Sequence, residues 1–186
     1  MNVLEIVFIA IGLAMDASAV SLVAAASGYA KDKRAVFRLS FHFGLFQFLM
    51  PILGWILGRN IVEHISSIDH WVAFGLLMIV GVKMILSGIK PSEQNIKKDP
   101  SRGFTLIMLS IATSIDALAI GLSLAMLKVE IWYPSIIIGI VTATLSFAAI
   151  RLGNQIGILV GQRMEIVGGT ILIAIGSRIL LSHLLT

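Results

Sequence analysis

Two aspartates stand where charge is costly. Asp16 lies in the middle of the apolar run 3–28, and Asp116 in the middle of 104–127. A carboxylate at mid-membrane depth costs roughly 2.5–3.5 kcal/mol on insertion scales, so a bound cation, a proton or a basic partner must offset it. Two carboxylates offer hard anionic oxygens, which suit Mg, Ca or Mn better than Cu or Zn. Met15 precedes Asp16, and its thioether is a poor ligand for Mg or Ca but tolerable for Mn or Fe; packing is its other use. Thr113, one turn before Asp116, and the adjacent Ser114 bring hydroxyls that can complete a coordination shell or bond their own helix one turn back. Gln47 lies mid-run with Pro51 four residues later, and proline removes the amide that would bond the Gln47 carbonyl. A freed carbonyl and a side-chain amide at one kink suit a cation.

Further candidates lie off this centre. His42 is nearer the end of its run and either lines a path or reaches the interface. Lys83 and Arg178 occupy matching places in two later runs. They either snorkel to the surface or serve as counter-charges for Asp16 and Asp116 when no metal is bound. Glu165 and Asp69, at the starts of their runs, are candidate relay acids.

The elements that must position these groups are membrane spans. Of 186 residues, 58% are hydrophobic and 13% charged, and the mean hydropathy is +0.98. Soluble domains carry about 25% charged residues, so an ordinary water-soluble enzyme is excluded. Six apolar runs are long enough to cross, at 3–28, 37–58, 71–89, 104–127, 133–152 and 166–185. The linker at 29–36 is short and basic, and 89–102 is the longest connector. The chain has no cysteine, which removes disulfide and thiolate chemistry. It has no phosphate-binding G-x-x-x-x-G-K-[ST] loop, which argues against an ATP-driven pump. The first run lacks a basic leader and carries Asp16, unlike a signal peptide, and is expected to stay in the mature protein.

A net charge of +4 reads here as basic cytoplasmic loops and not as a nucleic-acid partner. Ten Lys and Arg residues fall in the odd linkers or beside them, against Arg59 and Lys128 in the even ones. That bias puts the odd linkers in the cytoplasm and both termini outside.

The halves resemble each other. MDASAVSL at 15–22 aligns with IDALAIGL at 115–122, an offset of 100; Gly54 and Gly58 match Gly153 and Gly157 at 99, setting Ser146 opposite Gln47; GVKMILS at 81–87 matches GSRILLS at 176–182 at 95. Three spans per repeat is an odd number, so the second repeat crosses in the opposite sense, as in secondary transporters. The expected fold is an all-α integral membrane protein of six transmembrane helices in two inverted three-helix repeats. One repeat occupies 1–89 and the other 104–186, joined by a cytoplasmic linker at 90–103. Small-residue stripes at Ala17, Ser21, Ala25 and at Ala117, Gly121, Ala125 are expected to let the first and fourth spans cross.

With these residues in view, the chain resembles the manganese efflux pumps of bacterial inner membranes (MntP type), within the LysE-like exporters. The likeness runs through MDASAVS, FGLFQ before MPILGW, DHWVAFGLLMIVG, IATSIDALAIG and EIVGGTILIAIG. It implies export of Mn(II) across the inner membrane, with Asp16 and Asp116 in the metal path and Mn(II) as cargo, no cofactor being permanently bound. Some members carry an acid where this chain has Gln47. The expectation is a secondary transporter, not an enzyme, that exchanges Mn(II) for protons. The alternatives are export of another divalent cation or an amino acid, and a non-transporting channel or membrane subunit.

Overall fold

The computed structural model describes residues 2–62 and 99–156, together with helical positions 74, 75, 78, 79, 82, 85 and 86 and 170, 173 and 177. Four long helices carry the described residues: α1 Val3–Ala26, α2 Lys33–Val62, α3 Gly103–Met126 and α4 Trp132–Ile156. Each is long and apolar enough to cross a membrane. They are the first, second, fourth and fifth expected spans; the third and sixth fall largely outside the described residues.

Local chemistry explains the helix ends. The Asn2 amide donates to the Glu5 carboxylate at 3.0 Å, half of a capping box whose acid also suits the positive end of the helix dipole. α1 stops in a Schellman motif. The Gly28 amide donates to Ala25 O and the Tyr29 amide to Ala24 O, both at 2.9 Å, with Gly28 left-handed at φ 84°. α3 ends the same way: Lys128 donates to Ala125 O and Val129 to Leu124 O, both at 3.0 Å. There the left-handed residue is Lys128, at φ 55°.

α2 corrects one expectation. Residues 33–36 were expected in a linker, yet the helix begins at Lys33. Lys33, Arg34, Ala35 and Val36 contain no breaker, and their polarity suits a helical turn at the interface as well as a loop.

Glycines set how the helices meet. A Cβ at Gly121 or Gly54 would overlap backbone across the α2–α3 contact, at Pro51 and Leu118 respectively, and one at Gly58 would lie 2.6 Å from the Ala125 Cβ. A Cβ at Gly153 would lie 2.5 Å from Leu22 O and 3.0 Å from the Ala25 Cβ across the α1–α4 contact. The stripes therefore allow close approach as expected, but to different partners. Ala25 meets α4, and Gly121 and Ala125 meet α2. The first and fourth spans touch only over a short stretch.

The same contacts fix direction. Residues 51 and 58 of α2 meet 121 and 125 of α3, so these two run parallel. Late residues of α1 meet late residues of α4, while Ile9 and Leu13 share an apolar cluster with Ile131 and Ile138; these too run parallel. Gly44 meets Ala143 and Gly139 meets Phe48, so α2 and α4 are antiparallel. It follows that α1 and α3 are antiparallel.

At the α2–α4 crossing the contacts are reciprocal. A Cβ on Gly44 would come 2.8 Å from the Ala143 Cβ and 2.9 Å from Gly139 O. One on Gly139 would come 2.9 Å from the Phe48 Cβ and 3.0 Å from Gly44 O. Position 44 thus corresponds to 139 and 48 to 143, an offset of 95 rather than 99. Gly58 and Gly153 agree, each facing a Leu carbonyl and an Ala Cβ at 122 and 125 or at 22 and 25. The register in the second spans moves by about one turn, so Thr142, not Ser146, corresponds to Gln47.

Candidate functional site

Asp16 and Asp116 are each the fourteenth residue of a 24-residue helix. Asp116 is buried, at 4% exposure, and Asp16 is half-buried. One turn before each, the backbone turns toward α2. There Gln47, fully buried, donates through Nε2 to Leu13 O at 3.2 Å and to Thr113 O at 3.0 Å. Leu13 and Thr113 are themselves 100 positions apart, like the aspartates. A single amide thus holds equivalent carbonyls of α1 and α3 within two hydrogen-bond lengths of each other.

The two bonds fix the amide orientation, because a flipped amide would set oxygen against two carbonyl oxygens. Gln47 Oε1 is therefore a buried acceptor with no hydrogen-bond partner among the described residues. Such an oxygen costs about 1–3 kcal/mol unless something meets it, and a cation or an ordered water is what it can accept.

The other expected ligands are placed less directly. The Thr113 hydroxyl donates to Leu109 O at 3.0 Å, and the Ser114 hydroxyl to Ser110 O at 2.7 Å. These hydroxyl protons serve their own helix, which leaves oxygen lone pairs as the only ligating capacity. Met15 packs against the apolar cluster of Ile9, Leu13 and Ile120. His42 Nδ1 donates to Arg38 O at 2.8 Å, with the ring edge-on to Phe41. Lys83, Arg178, Glu165 and Asp69 lie outside the described residues. Among the described residues no three His, Asp or Glu side chains gather into a metal cluster.

Sequence reasoning named Ser21 only as a packing residue and Ser146 only as the counterpart of Gln47, and missed the set of hydroxyls to which they belong. Ser18, Ser21, Ser40, Thr142 and Ser146 are buried, and their hydroxyl oxygens have no hydrogen-bond partner among the described residues. Because α1 and α3 are antiparallel, Ser18 and Ser21 (after Asp16) lie toward the same end as Ser110, Thr113 and Ser114 (before Asp116). Ser40 in α2 and Ser146 in α4 lie toward that end too. The opposite end holds Ile9, Ala10, Leu13, Ala117, Ile120, Leu124, Ile131 and Ile138, one continuous apolar cluster. The aspartates thus separate a half richer in buried hydroxyls, which also has its own apolar cluster around Leu39, Phe43 and Ile150, from a half where the buried hydroxyls are fewer, Ser123 and Ser135. The readable signal was the pair of serines two and five residues after Asp16, where α3 has Leu118 and Gly121.

At the hydroxyl-rich end a short clamp ties α2 to the start of α3. Arg38 Nε donates to Ser101 O at 2.8 Å, Ser101 donates to Asp99 through its amide at 2.9 Å and its hydroxyl at 2.7 Å, and Arg102 pairs with Asp99 at 3.4 Å. Burial pushes the Asp99 carboxyl up, but the Ser101 hydrogen bonds with Arg102 and Arg38 outweigh it. The net pKa is lowered. At the apolar end Trp55 Nε1 donates to Val129 O at 2.8 Å.

Comparison with known proteins finds relatives along the whole chain. The family described as "Putative manganese efflux pump" matches residues 30–180. A protein of Syntrophotalea carbinolica named "Putative manganese efflux pump MntP" is 48% identical over 186 residues, covering 100% of this chain and 99% of the relative. A Geobacter sp. relative of the same name is 49% identical, again over 100% and 99%. One from Methanospirillum hungatei is 46% identical over 96% of this chain and 93% of its own. No solved structure matches.

Proposed function

From the premise that the chain belongs to the manganese efflux pump family, a family of multi-pass membrane proteins, we propose that it is a secondary transporter exporting Mn(II) across the bacterial inner membrane. The observation that carries this reading is Gln47, which ties together α1 and α3 one turn from Asp16 and Asp116. In this reading the two carboxylates and Gln47 Oε1 supply hard oxygens to the cation. The lone pairs of Thr113 and Ser114 stand beside them, and Met15 serves packing.

The fold proposed with it is a six-helix inverted repeat of 1–89 and 104–186 joined by 90–103. Support comes from direction: α2 and α3 run parallel, so the chain between them must return across the membrane, which suits a third span at 71–89. The charge bias sets both termini outside and the hydroxyl-rich end toward the cytoplasm. Cargo then reaches the aspartates over the buried hydroxyls, while the apolar cluster closes the far side. Exchange for protons follows from the ligands, since a protonated carboxylate no longer holds a cation. Lys83 and Arg178 are counter-charges in the metal-free state, and His42 and Glu165 lie along the path.

The test is Mn accumulation in cells lacking their own Mn exporter, paired with vesicles holding a Mn-sensitive dye. Saturable Mn flux that acidifies the opposite compartment is expected, with amino acids failing to compete. Unchanged cellular Mn with the protein in the membrane would refute export, and competition by an amino acid or another divalent ion would change the cargo.

A further inference from the structure

The hydroxyl-rich end carries a second built feature, on the outer surface of the bundle. A cavity of about 820 Å³ lies between the start of α2 and the end of α4, lined among others by Lys31, Lys33, Phe37, Ser40, Phe147 and Arg151. The antiparallel register orders its walls by depth. Lys33 faces the level of Arg151, Phe37 that of Phe147, and Phe41 that of Thr144. At 1.5 Å per residue, the aromatic levels lie roughly 6 and 12 Å below the cations.

The chemistry follows that order. The Arg151 guanidinium lies 5.1 Å from the Phe147 ring centroid, a cation–π contact that steadies it at the mouth. Phe37 and Phe41 stack at 5.5 Å, their rings 13° apart, and form one apolar wall. Ser40 is 9% exposed, and its hydroxyl, which has no hydrogen-bond partner among the described residues, lines the cavity below the cations. Asp32 is the carboxylate nearest in sequence and does not line the cavity. Three cations make the cavity unsuitable for a metal cation and complementary to an anion with an apolar body.

We propose that this groove holds one anionic phospholipid, its phosphate at Lys31, Lys33 and Arg151 and an acyl chain along Phe37, Phe41 and Phe147. Arginine forks onto phosphate oxygens while the lysines supply point charge. Basic pockets between spans on the cytoplasmic side recognise lipid headgroups in this way. Assigning the lipid to the cytoplasmic leaflet rests on the orientation proposed above; the groove itself does not.

Native mass spectrometry of the full chain in detergent, with equimolar phosphatidylglycerol and phosphatidylcholine, tests the proposal. One phosphatidylglycerol per chain should be retained roughly tenfold over phosphatidylcholine. Added salt should erode that preference. The triple variant Lys31→Gln, Lys33→Gln, Arg151→Gln should lose it, and Lys128→Gln, at the opposite end, should keep it. Equal retention of the two lipids, a salt-independent preference, or a triple variant that still selects phosphatidylglycerol would overturn it. Salt dependence is read on the unaltered protein, so a variant that misfolds leaves the test intact. A second copy of the chain is the rival occupant. Complete disulfide dimerisation of Phe41→Cys, in a chain otherwise free of cysteine, would overturn the lipid assignment. None of these readings needs metal, so they stand apart from the outcome of the transport assay.

Discussion

α1 and α3 are the same helix written twice, and they differ in an instructive way. Both place an aspartate fourteenth, both give a carbonyl to Gln47 one turn earlier, and both end in a Schellman motif. Their polar neighbours, however, lie on opposite sides of the aspartate in sequence. α1 has Ser18 and Ser21 after it; α3 has Ser110, Thr113 and Ser114 before it and Ser123 alone after it. An inverted pair needs this reversal if the two helices are to be polar toward the same end. Similar backbones thus place their hydroxyls asymmetrically about the two aspartates.

The aspartates offer the sharpest test of that comparison. Asp16→Ala and Asp116→Ala should each abolish Mn protection in the exporter-deficient strain, a loss of about 100-fold or more in vesicle flux if both are ligands. A variant at one position that retains flux would assign the cation to a single helix. Gln47→Leu should lower apparent Mn affinity by about 10–100-fold, measured as the concentration for half-maximal flux. It removes a buried acceptor and unpairs two carbonyls at once.

The two close interfaces should respond unequally to size. Gly121 meets the Pro51 carbonyl, whereas its counterpart in α1 is Ser21. Gly121→Ser should destabilise by about 1–3 kcal/mol through overpacking, and Ser21→Gly far less, read as thermal midpoints in detergent. The helix ends give a smaller contrast. Lys128→Gly should stabilise by about 1 kcal/mol by relieving a left-handed non-glycine residue, and Gly28→Ala should destabilise by about 1–2 kcal/mol.

Asp99 gives the smallest and most conditional effect. Its carboxyl pKa is lowered in the folded chain, so its stabilising contribution is fully present above its ordinary value. That contribution fades as pH falls through the lowered folded-state value. Asp99→Asn should therefore lower the thermal midpoint slightly at neutral pH, and the gap should close in acid. A gap that persists in acid would assign the clamp to Arg38 and Ser101 alone.

Much of this was legible in the sequence. The apolar runs located four helices to within a few residues, because twenty-odd apolar residues admit little else. The paired aspartates stood out because charge inside such a run is rare. The register of the second spans was not legible, for a physical reason. Gly54 and Gly58 are four residues apart, so a slip of one turn still sets Gly58 on Gly153, and helical periodicity hides it. Nor could the small-residue stripes name their partners. Ala17 and Gly121 announce a close approach without saying to which helix. The double hydrogen bond of Gln47 was hidden as well, since a mid-span glutamine fits a kink, a path or a strut equally.

The facing glycines Gly44 and Gly139 have one more consequence. An operation that exchanges the two halves carries this contact onto itself, because each residue occupies the other's place. If the outward-open form arises by the halves trading conformations, every helix contact elsewhere must be exchanged for its counterpart's. The meeting of Gly44 with Gly139 would then be the same in both forms. In such an exchange it would be the pivot of the bundle, the place where the two halves could trade places without rearranging.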